Sequence, residues 1–519
     1  MRQRRARATI VPVALLVALL AAACGGTGPA VSVKSASIIT TDPGTTEPVP
    51  DASIPAVTDP AGSVPDTTDT TGPADTTGDG AADGVGDVLF PTLGNPGIDV
   101  VDYDVWLRYD PVLDAIEGSV GLTVVATDAR DSFTLDAIGL DIASVAVDGV
   151  DAAFAAEDVE LRITPPEPLT PGRRFVVDVA YSGAPDAGSS VMSLPNGWFH
   201  TEGGSFVLNE PDGARTWLPS NDHPSDKATW TFEITVPNGM TAVANGALQS
   251  TTAGPDGDTW VWRQDDLMPT YLVQLLTGDY QIIETTGPNG LPLVSVVLRA
   301  DLAGVQQYID GIPAQIDFFD DVFGPYPLDR YGIAVTDSFS GLAMETMGRS
   351  MFSNKDLDGT VGSFTELLLS HELAHQWFGD AVSPARWQDI WLNESFATYG
   401  QWLWFDHSGG ATTDDQASTA LARRFGPATG LPGVDDLFGY NSYDGGAVVL
   451  HALRLTIGDD AFFTLLQRWV AENTGTSRTT DDFIALAEDV AGTDLTAFFD
   501  TWLFAENVPI SYPASTLTA

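Results

Sequence analysis

The stretch that most constrains this chain is residues 371–394, HELAHQWFGDAVSPARWQDIWLNE. His371 and His375 stand four positions apart, so on a helix they share one face, with Glu372 one step along from the first of them. Eighteen residues separate His375 from Glu394. The apolar run Leu367, Leu368, Leu369 leads into the histidines as expected of a buried helix, and WLNESFATYGQWLW reads as a second helix carrying the carboxylate. Two imidazoles and one carboxylate are three zinc ligands that leave a fourth place for water, and the ion lowers that water's pKa to about 7 while polarising a carbonyl. The pattern points to peptide hydrolysis, with one zinc ion per chain on His371, His375 and Glu394 and with Glu372 at its open side.

The N-terminus reads as a targeting segment. Arg2, Arg4, Arg5 and Arg7 form a positive region, and residues 10–23, IVPVALLVALLAAA, form an apolar stretch that is short for a membrane span. Leu20, Ala21, Ala22, Ala23 and Cys24 resemble a bacterial lipoprotein cleavage box, in which the cysteine is lipidated and becomes the N-terminus. Cys24 is the only cysteine, so the chain makes no internal disulfide although export would place it where disulfides form. Residues 1–24 are therefore expected to be a lipoprotein signal peptide and the protein to be anchored by lipid outside the cell membrane. Residues 25–94 are rich in Thr, Asp, Pro, Gly and Ala. Such a composition has too little to bury to offset the entropy of ordering the backbone, and it is expected to be an extended, disordered tether.

Seventy-one acidic residues stand against 23 basic ones, for a formal net charge of -48, and only Lys34, Lys227 and Lys355 are lysines. Phosphate contacts need cationic side chains, so nucleic acid is excluded as a partner. The charge instead keeps the surface solvated. No second apolar run is long enough to span a bilayer.

Residues 95–286 read as an antiparallel β domain. YDVWLRYD, SVGLTVVATD, FVVDVAYSG, WTFEITVP and WVWRQD alternate apolar and polar residues, with Gly, Pro and Asp at the breaks. Within NEPDGARTWLPSNDHPSDKATW, Glu210 reads as a solvated loop carboxylate and His223 as a turn residue. The turn formers Gly287, Pro288, Asn289 and Gly290 mark the change to residues 287–510, where a long helix, a strand and a run of helices argue an α/β catalytic domain and a multidomain α+β chain. Thr480 and Asp494 are expected helix N-caps. Met344, Met347 and Met351 either line a pocket or pack in the core. His200, His223, His407 and His451 are expected to be structural, and residues 511–519 a tail.

With these residues in view, the chain resembles the aminopeptidase N and leukotriene hydrolase family of zinc exopeptidases over roughly residues 95–510. HELAHQWFGD with WLNESFATY is similar to the family's zinc signature, SGLAMETMG to its exopeptidase motif, and NSYDGGAVVLHALR to the segment holding its catalytic tyrosine. WLPSNDHPSDKA is similar to a turn of its N-terminal domain. The resemblance implies a saddle-like β domain followed by a thermolysin-like catalytic domain. It implies that Glu372 is the general base, that Tyr443 stabilises the oxyanion, and that Glu345 with Glu210 holds the free α-amine of a peptide. The backbone at Ala343 and Met344 would lie along the substrate. Leu342 and Thr346 depart from the family's usual Gly and Asn, and Gly445 from its usual Lys. Many family members continue into a helical domain over the active site, so the cleft here is expected to be more open. The functional expectation is an aminopeptidase. A hydrolase of altered substrate, such as an epoxide or a restricted set of peptides, and a catalytically silent surface module are the alternatives.

Overall fold

In the computed structural model, residues 84–185, 187–189, 195–357 and 363–513 are described. Cys24, the signal segment and residues 25–83 of the expected tether lie outside them. Residues 84–94 correct the tether expectation over that span, because they are anchored. Asp87 accepts hydrogen bonds from the backbone N–H groups of Leu89, Phe90 and Trp387 and pairs with His223, while Phe90 meets Trp387 edge-on at 6.0 Å. Two aromatic rings and a fully bonded carboxylate give this short segment its burial.

The β domain is built on an eight-stranded sheet. In spatial order its strands are Ala247–Gly254, Gly257–Met268, Ala228–Val236, Ile98–Asp110, Ala115–Ala126, Arg174–Gly183, Asp141–Val147 and Val150–Asp151. Its ladders are antiparallel except where Ile98–Asp110 runs parallel to Ala228–Val236. Alternation along Ala115–Ala126 buries Ile116, Val120, Leu122 and Val124 on one face. Opposite partners Tyr103 and Trp230 stack at 3.8 Å, the cross-strand contact that holds the central pair. A five-stranded sheet includes Gly204–Leu208 and Leu275–Gly278, and the first of these strands ends two residues before Glu210.

Tyr280–Thr286, expected to close the β domain, is instead the edge of the catalytic sheet, paired antiparallel with Pro292–Leu298. Gly287–Gly290 is therefore a hairpin turn rather than a linker, with Asn289 at φ 54°. The sheet continues in parallel through Ile333–Thr336 and Ser350–Ser353 and ends on the short antiparallel edge Ala343–Met344.

Helix α1 (Leu302–Phe323) covers this sheet with Val305, Tyr308, Ile309, Ile312, Ile316, Phe319 and Phe323, the three-and-four spacing of one buried stripe. The others are α2 (Ser363–Ala374), α3 (Trp391–His407), α4 (Thr413–Arg423), α5 (Asp444–Ile457), α6 (Asp459–Asn473), α7 (Thr480–Ala491) and α8 (Thr496–Trp502). The N-cap of α7 is Thr479, not Thr480. Thr479 and Asp482 form a reciprocal capping box, which places the start one residue earlier than expected. Asp494 accepts the Thr496 N–H two residues on, and no side chain caps α8. Tyr512, expected in a tail, stacks on Trp502 at 5.7 Å and donates to the Ala417 carbonyl at 2.8 Å, while residues 514–519 lie outside the described set. No helix among the described residues is long and apolar enough to cross a membrane.

Candidate active site

Helix α2 is buried on nearly every side, so its polar residues are held in place by apolar neighbours rather than by water. Leu369 and Leu373 pack into the catalytic core. His371 and Glu372 emerge from the last turn of α2, and His375 directly follows it. The first turn of α3, fixed from outside by the Trp391 indole N–H donating to Thr480 at 2.8 Å, presents Glu394 to both histidines.

The three sequence-expected ligands converge. Nε2 of His371 and Nε2 of His375 are 3.1 Å apart, and a carboxylate oxygen of Glu394 lies 3.3 Å from the first and 3.4 Å from the second. Four ligands at about 2.0–2.1 Å from a tetrahedral zinc ion stand about 3.3–3.4 Å from one another, so this triangle has the size of one tetrahedral face. The donor chemistry agrees. The other nitrogen of His375, Nδ1, is 3.1 Å from the Phe378 carbonyl, which can only accept, so Nδ1 carries the proton and Nε2 turns its lone pair to the centre. The residues present fit a zinc ion.

Carboxylates crowd this centre. Burial, reinforced by Glu345 and Glu394 and opposed by His375, holds the Glu372 carboxyl well above its ordinary range. Burial also pushes Glu394 upward, but the two imidazoles of His371 and His375 facing it outweigh burial and bring that group down to about 2. Glu345, 3% exposed, and the half-buried Glu210 are both pushed up, first by burial. Each has a buried carboxylate oxygen with no hydrogen-bond partner among the described residues, and the two groups come within 4.8 Å of each other and of Glu394. Buried carboxylates without donors are costly unless something cationic meets them. Glu210 is thus not the solvated loop residue that its local sequence suggested.

Tyr443 stands immediately before α5. Its ring lies nearly parallel to that of His371 at 5.9 Å. Burial first, and then Glu394, Glu210 and Glu345, keep its phenol well above its ordinary pKa, so it is a permanent donor. Helix α5 reaches this position because residue 446 is glycine: a Cβ there would stand 1.7 Å from Ser395 Oγ. That hydroxyl donates to the Ser442 carbonyl at 2.7 Å, linking the residue after Glu394 to the one before Tyr443. Tyr440 also lines the cavity, but its hydroxyl is engaged by the Ala420 carbonyl at 2.9 Å.

The edge strand settles the departures around Glu345. Side chains alternate across a strand, so Ala343 and Glu345 line the cavity while Met344 is buried in the core on the other side. The side chain of Met344 therefore packs in the core, as do those of Met347 and Met351, the second of the two places open to these methionines. Leu342 and Thr346 share that inner parity. Leu342 is packed in the core, and Thr346 donates to the Arg349 carbonyl while accepting from Gln274 at 2.8 Å. Sequence reasoning missed Thr398 and Gln401, which line the cavity four and seven residues after Glu394. It also missed Phe364, Leu367 and Leu368, seven, four and three residues before His371. Helical spacing counted outward from the ligands would have found both sets. His200, His223, His407 and His451 are absent from the cavity wall; His451 is buried against Tyr399.

A β domain set against a catalytic domain, with an HExxH helix and a following glutamate closing one metal-sized triangle, is the architecture of the zinc metallopeptidase class. Residues 100–272 match the peptidase M1 N-terminal domain and residues 309–502 the peptidase family M1 domain. The crystal structure of an M1 zinc metallopeptidase from Deinococcus radiodurans superposes with a TM-score of 0.76 at 31% identity, covering 82% of this chain and 98% of that one. A mutant of that enzyme bound to a Tyr-Ser-Ala substrate is 30% identical, again with a TM-score of 0.76, over the same shares of the two chains. Among curated proteins, Aminopeptidase 2 of Candida albicans is 25% identical over 81% of this chain and 48% of its own length. Aminopeptidase N of Streptomyces lividans is 27% identical over 75% of this chain and 48% of its own. The chain spans about half the length of these curated relatives. It belongs to peptidase family M1.

Proposed function

We propose that this chain is a zinc aminopeptidase that removes N-terminal residues from peptides. The observation that carries this reading is the pair of orphaned carboxylate oxygens on Glu210 and Glu345 beside the His371, His375 and Glu394 triangle. A substrate ammonium satisfies both, and its distance from the triangle selects the first peptide bond. An internal bond offers no such cation and leaves the buried carboxylates unpaired.

Zinc held by His371, His375 and Glu394 supplies the Lewis acidity that activates water and polarises the scissile carbonyl. Glu372, which lines the cavity beside the ligands, accepts the proton as water adds to the carbonyl carbon. Tyr443 donates a hydrogen bond to the oxygen that becomes negative. Glu372 then returns the proton to the amide nitrogen as the C–N bond breaks, releasing one amino acid and a peptide shorter by one residue. Leu342 and Thr346 face away from the cavity, so their departure from the family motif gives no ground for an altered substrate class.

The test is release of nitroaniline from aminoacyl nitroanilides by the zinc-loaded chain, its chelated form and Glu372→Gln. We expect activity that chelation abolishes and zinc restores, and a loss of about 10²-fold or more in Glu372→Gln. Activity indifferent to metal would reject the reading. We further propose, on the Leu20–Cys24 box, that the enzyme works outside the cell membrane on a lipid anchor at Cys24. Cys24→Ser should then move the protein from the membrane fraction to the soluble exported one, and unchanged fractionation would reject the anchor.

A further inference from the structure

The metal centre is gripped from behind by the β domain. Tyr271, in the short turn Thr270–Leu272, is 1% exposed and packs against Trp387 at 5.3 Å. Its hydroxyl donates to the Gly379 carbonyl at 2.9 Å and accepts from the Asn393 side-chain amide at 3.2 Å. Gly379 follows the residue whose carbonyl orients His375, and Asn393 precedes Glu394. One phenol therefore joins the two segments that bear the ligands. Gly379 can stand between them only without a side chain: its φ is +122°, and a Cβ would lie 3.2 Å from the Asn393 amide and 3.3 Å from His375 Nδ1. Ser383 adds a hydrogen bond to the same carbonyl from within the catalytic domain, at 2.6 Å.

Lys227 closes the next part of the loop. It is 8% exposed and donates to the main-chain carbonyls of Asp380 at 2.8 Å and Ala381 at 3.2 Å. In a chain with three lysines and 71 acidic residues, a buried lysine bonded to two backbone carbonyls is placed for geometry rather than for surface charge.

We infer that Tyr271 and Lys227 are positioning residues for the metal centre, through which the β domain fixes residues 378–381 and Asn393 and so holds His375 and Glu394 in ligand geometry. The inference rests on the zinc reading. Groups that orient ligands from behind are worth about 10- to 100-fold in metal affinity. A residue that serves only domain packing changes the melting temperature but leaves zinc release from the folded protein unaltered.

The experiment follows transfer of zinc from the full-length, zinc-loaded chain to a chromophoric chelator, well below the melting temperature. Tyr271→Phe keeps the ring and removes both hydrogen bonds, and Lys227→Met keeps the stem and removes the donor. Each variant is expected to release zinc at least tenfold faster than wild type while the melting temperatures of the metal-free forms stay close to one another. Release at the wild-type rate from whichever variants fold would overturn the inference. A wild-type chain that takes up no zinc would instead overturn the zinc reading itself, so the two failures are separable.

Discussion

At the scale of single residues, spacing alone made the ligand set legible, whereas the amine site came only with the family resemblance. His371, His375 and Glu394 are fixed by spacing along two helices, and the structure brings their ligating atoms within 3.1–3.4 Å. Glu372, Glu345 and Tyr443 also reach the cavity expected of them. Glu210 was different, because nothing in NEPDGA distinguishes a carboxylate facing solvent from one facing Glu345 across a domain boundary. Burial depends on what the rest of the chain brings over a residue, and local sequence does not record it. Tyr443 is set apart from Tyr440 in sequence by the Gly445, Gly446 and Ala447 that follow it, and the packing of α5 places Tyr443 over His371 while Tyr440 is tied to Ala420. The motif does not record which way its side chains turn, and in the structure Met344 packs inward while Ala343 and Glu345 line the cavity.

At the scale of elements, the boundaries moved wherever a turn signal admitted two meanings. Gly287–Gly290 reads in sequence as the change of domain, and the register of Tyr280–Thr286 against Pro292–Leu298 makes it a hairpin turn inside the second domain. Thr480 is the cap expected from sequence, and the reciprocal bond of Thr479 with Asp482 moves the start of α7 one residue earlier. The contact of α3 with α5 matters most for function, because it couples Glu394 to Tyr443 through Ser395 and Ser442. Its tolerance is small. Gly446→Ala places a methyl group 1.7 Å from Ser395 Oγ, so α5 must shift outward and carry Tyr443 with it. Overpacking of this kind costs about 1–3 kcal/mol. Gly446→Ala is therefore expected to melt at a lower temperature and to lose kcat more than KM rises, as measured by thermal denaturation and steady-state kinetics. An unchanged kcat would show that α5 does not set the position of Tyr443.

At the scale of the whole molecule, the site belongs to neither domain alone. The catalytic domain brings His371, Glu372, His375, Glu394, Tyr443 and Glu345 to the cavity, while the β domain brings Glu210 to it and Tyr271 and Lys227 behind it. The core shows the same continuity, since Leu342, Met344, Met347 and Met351 pack with the β-domain cluster rather than with that of the helices. Composition excluded nucleic acid and implied a solvated acidic surface, but it carried no information on which carboxylates fold inward. Four of them converge on the metal-sized triangle, and the account holds that one cation there is the catalytic metal and the other is the substrate's amine. The direct test compares two peptides of one sequence, one with a free N-terminus and one acetylated, incubated with the zinc-loaded chain and read by mass spectrometry. The account predicts stepwise loss of single N-terminal residues from the free peptide and an intact acetylated peptide. Cleavage of both at the same rate, or cleavage at internal bonds, would contradict it.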